Sequence, residues 1–231
     1  MKVLTKIYIT LLLLFVFSSL GAQTRYQQFT LGAGAGAATA YAGANQPQTK
    51  AAFYADACYY PWPVFNFGLE AQRGTLSGIP TTDSRNPKDF NNSYNALIVD
   101  ANLYLGVFFD GQQNGFLNVI RNFYGGVGYG AMFNSINNVD LVNRGATDNV
   151  TNTLKVLQFK SGYECTILKN QYNEPLLKAD LSTRFYYVNG KGLDGYYNSA
   201  KTYGFYTYYA IGLKYTFIIR TTYGQGYKKY D

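Results

Sequence analysis

Residues 95–109 read NALIVDANLYLGVFF. Leu97, Val99, Ala101, Leu103, Leu105 and Val107 fall at every second position, with Asp100, Asn102, Tyr104 and Gly106 between them. Side chains alternate between the faces of a β-strand, so the stretch predicts a strand with one apolar and one polar face. The same period runs outward through most of the chain. In VFNFGLEAQRG (64–74), Phe65, Phe67, Leu69 and Ala71 oppose Asn66, Gly68, Glu70 and Gln72. It recurs in FYGGVGYGAMF (123–133), VLQFKSGYECTI (156–167), LLKADLSTRFYY (176–187) and YGFYTYYAIGLKYTF (203–217). Residues 51–59 fit more loosely, and LGAGAGAATAYAG (31–43) is the eighth segment.

Eight antiparallel segments, each about 10–16 residues long, exceed the ~5–6 residues of soluble strands and match the ~9–11 of a tilted membrane strand. The fold class this predicts is all-β, an eight-stranded antiparallel up-and-down transmembrane β-barrel spanning residues 23–219. Connectors alternate as such a barrel requires. Those near 61–64 and 169–175 are short; those near 43–50, 75–93, 134–153 and 189–201 are longer and polar. The exception is DGQQNGFLNVIRN (110–122), which is long on the side of short turns; its Phe116, Leu117, Val119 and Ile120 predict an amphipathic helical turn. Aromatics gather at strand ends in two predicted girdles, Phe29, Tyr59, Trp62, Phe65, Phe67, Phe108, Phe123, Tyr215 and Phe217 at one end. The other girdle holds Tyr41, Phe53, Tyr94, Phe133, Phe159, Tyr187, Tyr203 and Phe205. Rings that are apolar with a polar tip suit membrane interfaces.

The ends of the chain read differently. Lys2 and Lys6, the apolar run 7–17 and the small residues Ser18, Ser19, Gly21 and Ala22 predict a cleaved signal peptide, residues 1–22. No cysteine lies near that cleavage site, which argues against a lipoprotein. Losing two lysines takes the formal charge from +7 to +5. Charged residues are 14% of the chain, low against the ~25% of soluble domains, and no basic stripe suggests nucleic-acid binding. Cys58 and Cys165 fall on opposite faces of distant strands, which predicts two free thiols.

Glu70, Asp100, Asn102, Lys160, Glu164, Lys178, Asp180, Arg184 and Lys214 all lie opposite the apolar face. A lipocalin-like barrel would keep its apolar face inside; charges of both signs on one face favour lipid outside and a polar lumen. Eight strands leave an interior just wide enough for side chains, and buried charges must pair, so these residues predict an ion-paired, filled lumen. Gly32, Gly34 and Gly36 face inward, and Tyr206 and Tyr208 of the closing strand are expected to lie over them as a glycine/aromatic seam.

With its signal peptide, eight alternating segments and aromatic-ended final strand IGLKYTF, the chain resembles the small eight-stranded outer-membrane β-barrel proteins (OmpA/OmpX/OmpW-like). YGGVGYG also resembles strands of outer-membrane barrels common in Bacteroidota. The resemblance covers about 26–217 and implies a Gram-negative outer membrane, contact with outer-membrane lipid, and recognition by the barrel-assembly machinery. Phe217 resembles the terminal aromatic read by that machinery, although here residues 220–231 follow as a predicted periplasmic tail.

The sequence contains no histidine, which removes Ser-His-Asp and Cys-His sites, most zinc sites, and the His-dependent lipid-acting enzymes of this architecture. GAGAGAA lacks the G-x-G-x-x-G spacing and the following helix of a dinucleotide loop. Glu70 with Asp100, or Glu164 with Asp180, is a candidate acid/base pair; the competing reading is salt bridges to the nearby cations, which we favour. No catalytic, cofactor or metal residue is assigned. The chain reads as a non-enzymatic barrel acting through its loops or periplasmic side on an envelope or surface partner, in surface interaction, envelope integrity or a secretion complex. The alternatives are a narrow OmpW-like solute conduit and a lipid-modifying enzyme.

Overall fold

The computed structural model describes residues 28–41, 46–62, 64–79, 89–108, 119–139, 147–171, 174–190, 193 and 203–218. The predicted signal peptide and tail lie outside these. Eight strands follow one another around a closed antiparallel barrel. They are β1 (Gln28–Tyr41), β2 (Gln46–Trp62), β3 (Phe65–Ile79), β4 (Asp89–Tyr104), β5 (Phe123–Val139), β6 (Thr147–Lys169), β7 (Pro175–Asn189) and β8 (Tyr203–Ile218). β1 closes the ring by pairing with β8 from Gln28↔Ile218 to Tyr41↔Phe205.

The register fixes the dimensions. Starting at Tyr41, paired residues run Phe205, Tyr187, Leu157, Tyr129, Val99, Leu69 and Ala57, and return to β1 at Leu31. One circuit therefore slips ten residues along β1. With ~3.3 Å per residue and ~4.8 Å between strands, that shear gives a tilt of about 40° and a radius of about 8 Å. The tilt falls in the range that closed barrels adopt.

Alternation assigns the faces. Ile98 is fully buried while its neighbour Val99 is 61% exposed. Leu69, Val127, Leu181, Ile211 and Leu213 join Val99 in an outward apolar belt. Such a surface is unfavourable in water and is what lipid requires. Aromatic contacts tie the belt's two margins together. Phe29–Phe217 (6.4 Å between centroids), Tyr215–Phe217 (4.8 Å) and Phe65–Phe67 (4.8 Å) form one margin. Tyr41–Phe205 (5.2 Å) and Phe185–Phe205 (5.5 Å) form the other. Tyr94 does not join the girdle predicted for it; it points into the barrel. Cys58 is buried, Cys165 is exposed, and both are free thiols.

Two boundaries differ from the sequence reading. β4 ends at Tyr104, and Leu105–Phe108 form a 3-10 helix instead of more strand. The ladder runs out there, because β3 starts at Phe65 opposite Leu103. Tyr104 N donates to Val64 O (2.8 Å) and Gly106 N to Arg121 O (3.2 Å), turning the chain. Of the connector that follows, 119–122 is described; Val119 and Ile120 are helical, and 109–118 lie outside the described residues. At the opposite end, much of the expected loop sequence is ladder. Thr75–Gly78 pairs with Phe90–Ser93, and Asn134–Val139 pairs with Thr147–Asn152. Here the outward face turns polar while Leu76, Phe90 and Ile136 still point into the barrel, so pairing continues after the outer apolar belt has stopped.

The inward glycines make room for a ring other than those expected. A Cβ on Gly34 would collide with Tyr54 Cε1 and Ile211 O, and one on Gly212 with the Tyr54 hydroxyl. Tyr206 and Tyr208 stand opposite Ala40 and Ala38, further along β8. The ring seated over the seam therefore comes from β2. Gly32 leaves space for Asp56 and Lys214 in the same way, while Gly36 abuts the backbone of Tyr209 and Ala210. Gly34→Leu should abolish most refolding, read as loss of the heat-modifiable band on detergent gels. Ala35→Leu, on the lipid face of the same strand, should refold like the parent.

Candidate functional site: a filled lumen

Each strand contributes its alternate residues to the interior, and the shear brings distant positions to one level. Glu70 on β3 is the centre of one cluster. Lys160 Nζ bridges Glu70 Oε2 (3.2 Å) and Asp100 Oδ2 (3.3 Å). Arg184 Nε lies 3.1 Å from Glu70 Oε2. The other Glu70 oxygen accepts from Tyr186 Oη (3.0 Å) and Gln158 Nε2 (3.2 Å). The Arg184 guanidinium makes no aligned hydrogen bond; it lies over the rings of Tyr54 (4.0 Å) and Tyr208 (5.2 Å). Desolvated cation–π contacts of this kind contribute up to about 2 kcal/mol.

Lys214 on β8 is the centre of the second cluster. Its Nζ lies 2.7 Å from Glu164, 3.5 Å from Asp180 and 3.6 Å from Asp56. Lys178 meets the other Glu164 oxygen at 3.2 Å. Tyrosines complete the carboxylates: Tyr104 Oη donates to Glu164 (2.8 Å), Tyr124 Oη to Asp180 (2.7 Å) and Tyr54 Oη to Asp180 (3.1 Å). Asn102 Nδ2 donates to Asp100 (2.9 Å) and to Asn66 (2.8 Å), and Asn66 Nδ2 donates to Tyr104 Oη (3.2 Å), linking the two clusters. Five carboxylates thus face four cations inside the ring.

The nine polar positions singled out from the sequence all meet inside the barrel. Asp56 was missed. Its strand alternates Ala52, Tyr54, Asp56, Cys58 and Tyr60 inward, but small residues on both faces mask the period. Both candidate acid/base pairs have a cation between them, Lys160 for Glu70 and Asp100, Lys214 for Glu164 and Asp180. Neither pair presents a free carboxylate to a substrate.

The interior is not polar throughout, as the sequence reading had it. Toward the end away from the termini it becomes apolar, with Leu76, Phe90, Met132, Ile136, Val156 and Val188 buried together. Tyr186 and Tyr206 stack at 4.3 Å across the transition, and Gln72 Oε1 accepts from Tyr94 and Tyr206 (both 3.1 Å). Leu193, from the β7–β8 connection, folds into this mouth, and its carbonyl accepts from Asn92 Nδ2 (3.1 Å).

This architecture is that of the small eight-stranded outer-membrane β-barrels. Among solved structures, Neisserial surface protein A superposes with a TM-score of 0.51 at 15% identity, covering 82% of this chain and 97% of that one. Ail, the attachment invasion locus protein of Yersinia pestis, gives 0.47 at 10% identity over 83% of this chain and 99% of that chain. The N-terminal barrel domain of Pseudomonas aeruginosa OprF gives 0.40 at 12% identity over 84% and 100%. No protein-family model and no curated protein matches the sequence.

Removing one partner of a buried ion pair costs about 3–5 kcal/mol, because a charge is left uncompensated. Glu70→Gln should lower the unfolding free energy in urea by that amount, and adding Arg184→Met should recover much of it. Lys169→Gln, at an exposed strand end, should stay within about 0.5 kcal/mol of the parent.

Proposed function

We propose that the chain is an integral protein of the Gram-negative outer membrane that acts as a plugged scaffold and not as an enzyme. Its working surfaces are the outer loops or the periplasmic side, which engage another envelope or surface component in surface interaction, envelope integrity or a secretion complex. The observation that carries this reading is the filled lumen. Its charges are ion-paired with one another, the hydroxyls of Tyr54, Tyr104, Tyr124 and Tyr186 donate to carboxylates, and Leu193 packs into the apolar mouth. Among the described residues the lumen is occupied by packed and paired side chains, which places the working surfaces on the exterior. In the same reading residues 1–22 direct export, and the barrel-assembly machinery recognises β8. Phe217 on its outward face, packed against Phe29 and Tyr215, is the terminal aromatic it reads.

Reconstituted into planar bilayers, the full chain should give no steady single-channel steps. Discrete, reproducible conductance would overturn the plugged lumen and favour the narrow solute conduit. Cross-linking and affinity capture from native outer membranes should recover a discrete envelope or surface protein.

A further inference from the structure

The outside of the barrel carries a concavity of about 840 Å³ across β2 to β6, near the end away from the termini. Arg73 and Asn95 lie side by side in one register row, between Phe53 and Phe133. The next row outward is four hydroxyls on four neighbouring strands, Thr75, Ser93, Ser135 and Thr151. All of these line the concavity. They alternate with inward-facing Tyr94 and Asn134, so their side chains face the membrane side of the wall.

This composition breaks the pattern of the rest of the belt. Elsewhere the outward face is mainly apolar, with polar residues such as Ser161 and Thr183 scattered singly; here a cation, an amide and four hydroxyls are contiguous. Among the described residues no carboxylate pairs with Arg73. The ladder geometry places Arg73 about 5 Å below the hydroxyl row along the barrel axis. An arginine there lifts its guanidinium to the interface, where a bidentate partner is a phosphate. The hydroxyl row spans three inter-strand steps, about 14 Å, longer than a simple phosphodiester headgroup needs and suited to a saccharide rich in hydroxyls. Beneath Arg73, Ala71, Leu97 and Ala131 form a shallow apolar floor in the next register row, on which acyl chains can lie.

We propose that this concavity is a binding site for one phosphorylated glycolipid of the outer leaflet. Arg73 holds a phosphate, Asn95 and the hydroxyl row bind the sugars, and Phe53 and Phe133 flank them. The site rests on the outer-membrane reading above and specifies its lipid.

The test uses the delipidated full chain in detergent micelles, titrated by native mass spectrometry with lipid A, dephosphorylated lipid A or phosphatidylglycerol. Heat-modifiable migration reports the barrel separately, so loss of the fold is distinguished from loss of the site. The expected result is a single tight lipid A, weakened about tenfold or more by Arg73→Gln and by dephosphorylation. Phosphatidylglycerol should bind more weakly and be indifferent to Ser93→Val with Ser135→Val, changes that weaken lipid A. Equal binding of lipid A to parent and Arg73→Gln would overturn the proposal, as would phosphatidylglycerol binding as tightly as lipid A.

Discussion

Pairing of β1 with β8 is the constraint on which the rest of the structure depends. In a bilayer every backbone N–H and C=O must find a partner within the protein, and an open seam would leave two edges unpaired. Closing eight strands with a slip of ten residues then sets tilt, radius and interior volume together. The side chains must fill that volume, which explains the inward glycines at the seam, Gly32 and Gly34 on β1 and Gly212 on β8: the interior beside them is already occupied by Tyr54, Asp56 and Lys214.

The filling is divided by chemistry. Near the termini, ionised groups are held in a lattice of tyrosines and asparagines; near the other mouth, aliphatic and aromatic groups pack as in a soluble core. The transition falls at Gln72, Gln158 and Tyr186, where Tyr186 Oη accepts from both glutamines (2.8 and 2.9 Å) and donates to Glu70. Among the described residues the ion-paired charges thereby lie below the apolar mouth. Burial of unpaired ions in a medium of low dielectric would be prohibitive, and the division confines them to the region where counter-charges are supplied.

Much of this was legible in the sequence because strand alternation is a local signal. Asp100, Asp180 and Lys214 announce the inner face at once, since their neighbours are aliphatic or aromatic. Where that contrast vanishes, reading fails. Asp56 sits among alanines; Ile98, Met132 and Val156 are apolar residues on the inner face and carry no sign of their side. The stretch Asn134–Val139 looks like loop because its outward residues are polar, although its backbone is still paired and Ile136 points inward. Ring placement over Gly34 needed the shear, a property of the whole circuit that no segment encodes alone. Arg73 is a lone outward cation within an otherwise regular strand, visible as an irregularity only once its neighbours on four other strands are known.

Lys214 lies on the last strand, while the three carboxylates around it come from β2, β6 and β7. A sheet one strand short would retain Asp56, Glu164 and Asp180 with Lys178 alone among these cations. Docking of the final strand therefore does more than join two edges: it delivers the counter-ion. Without β8 these three carboxylates would lack the cation at their centre. Closure of the ring and pairing of its buried charges are therefore coupled, since the same strand supplies both.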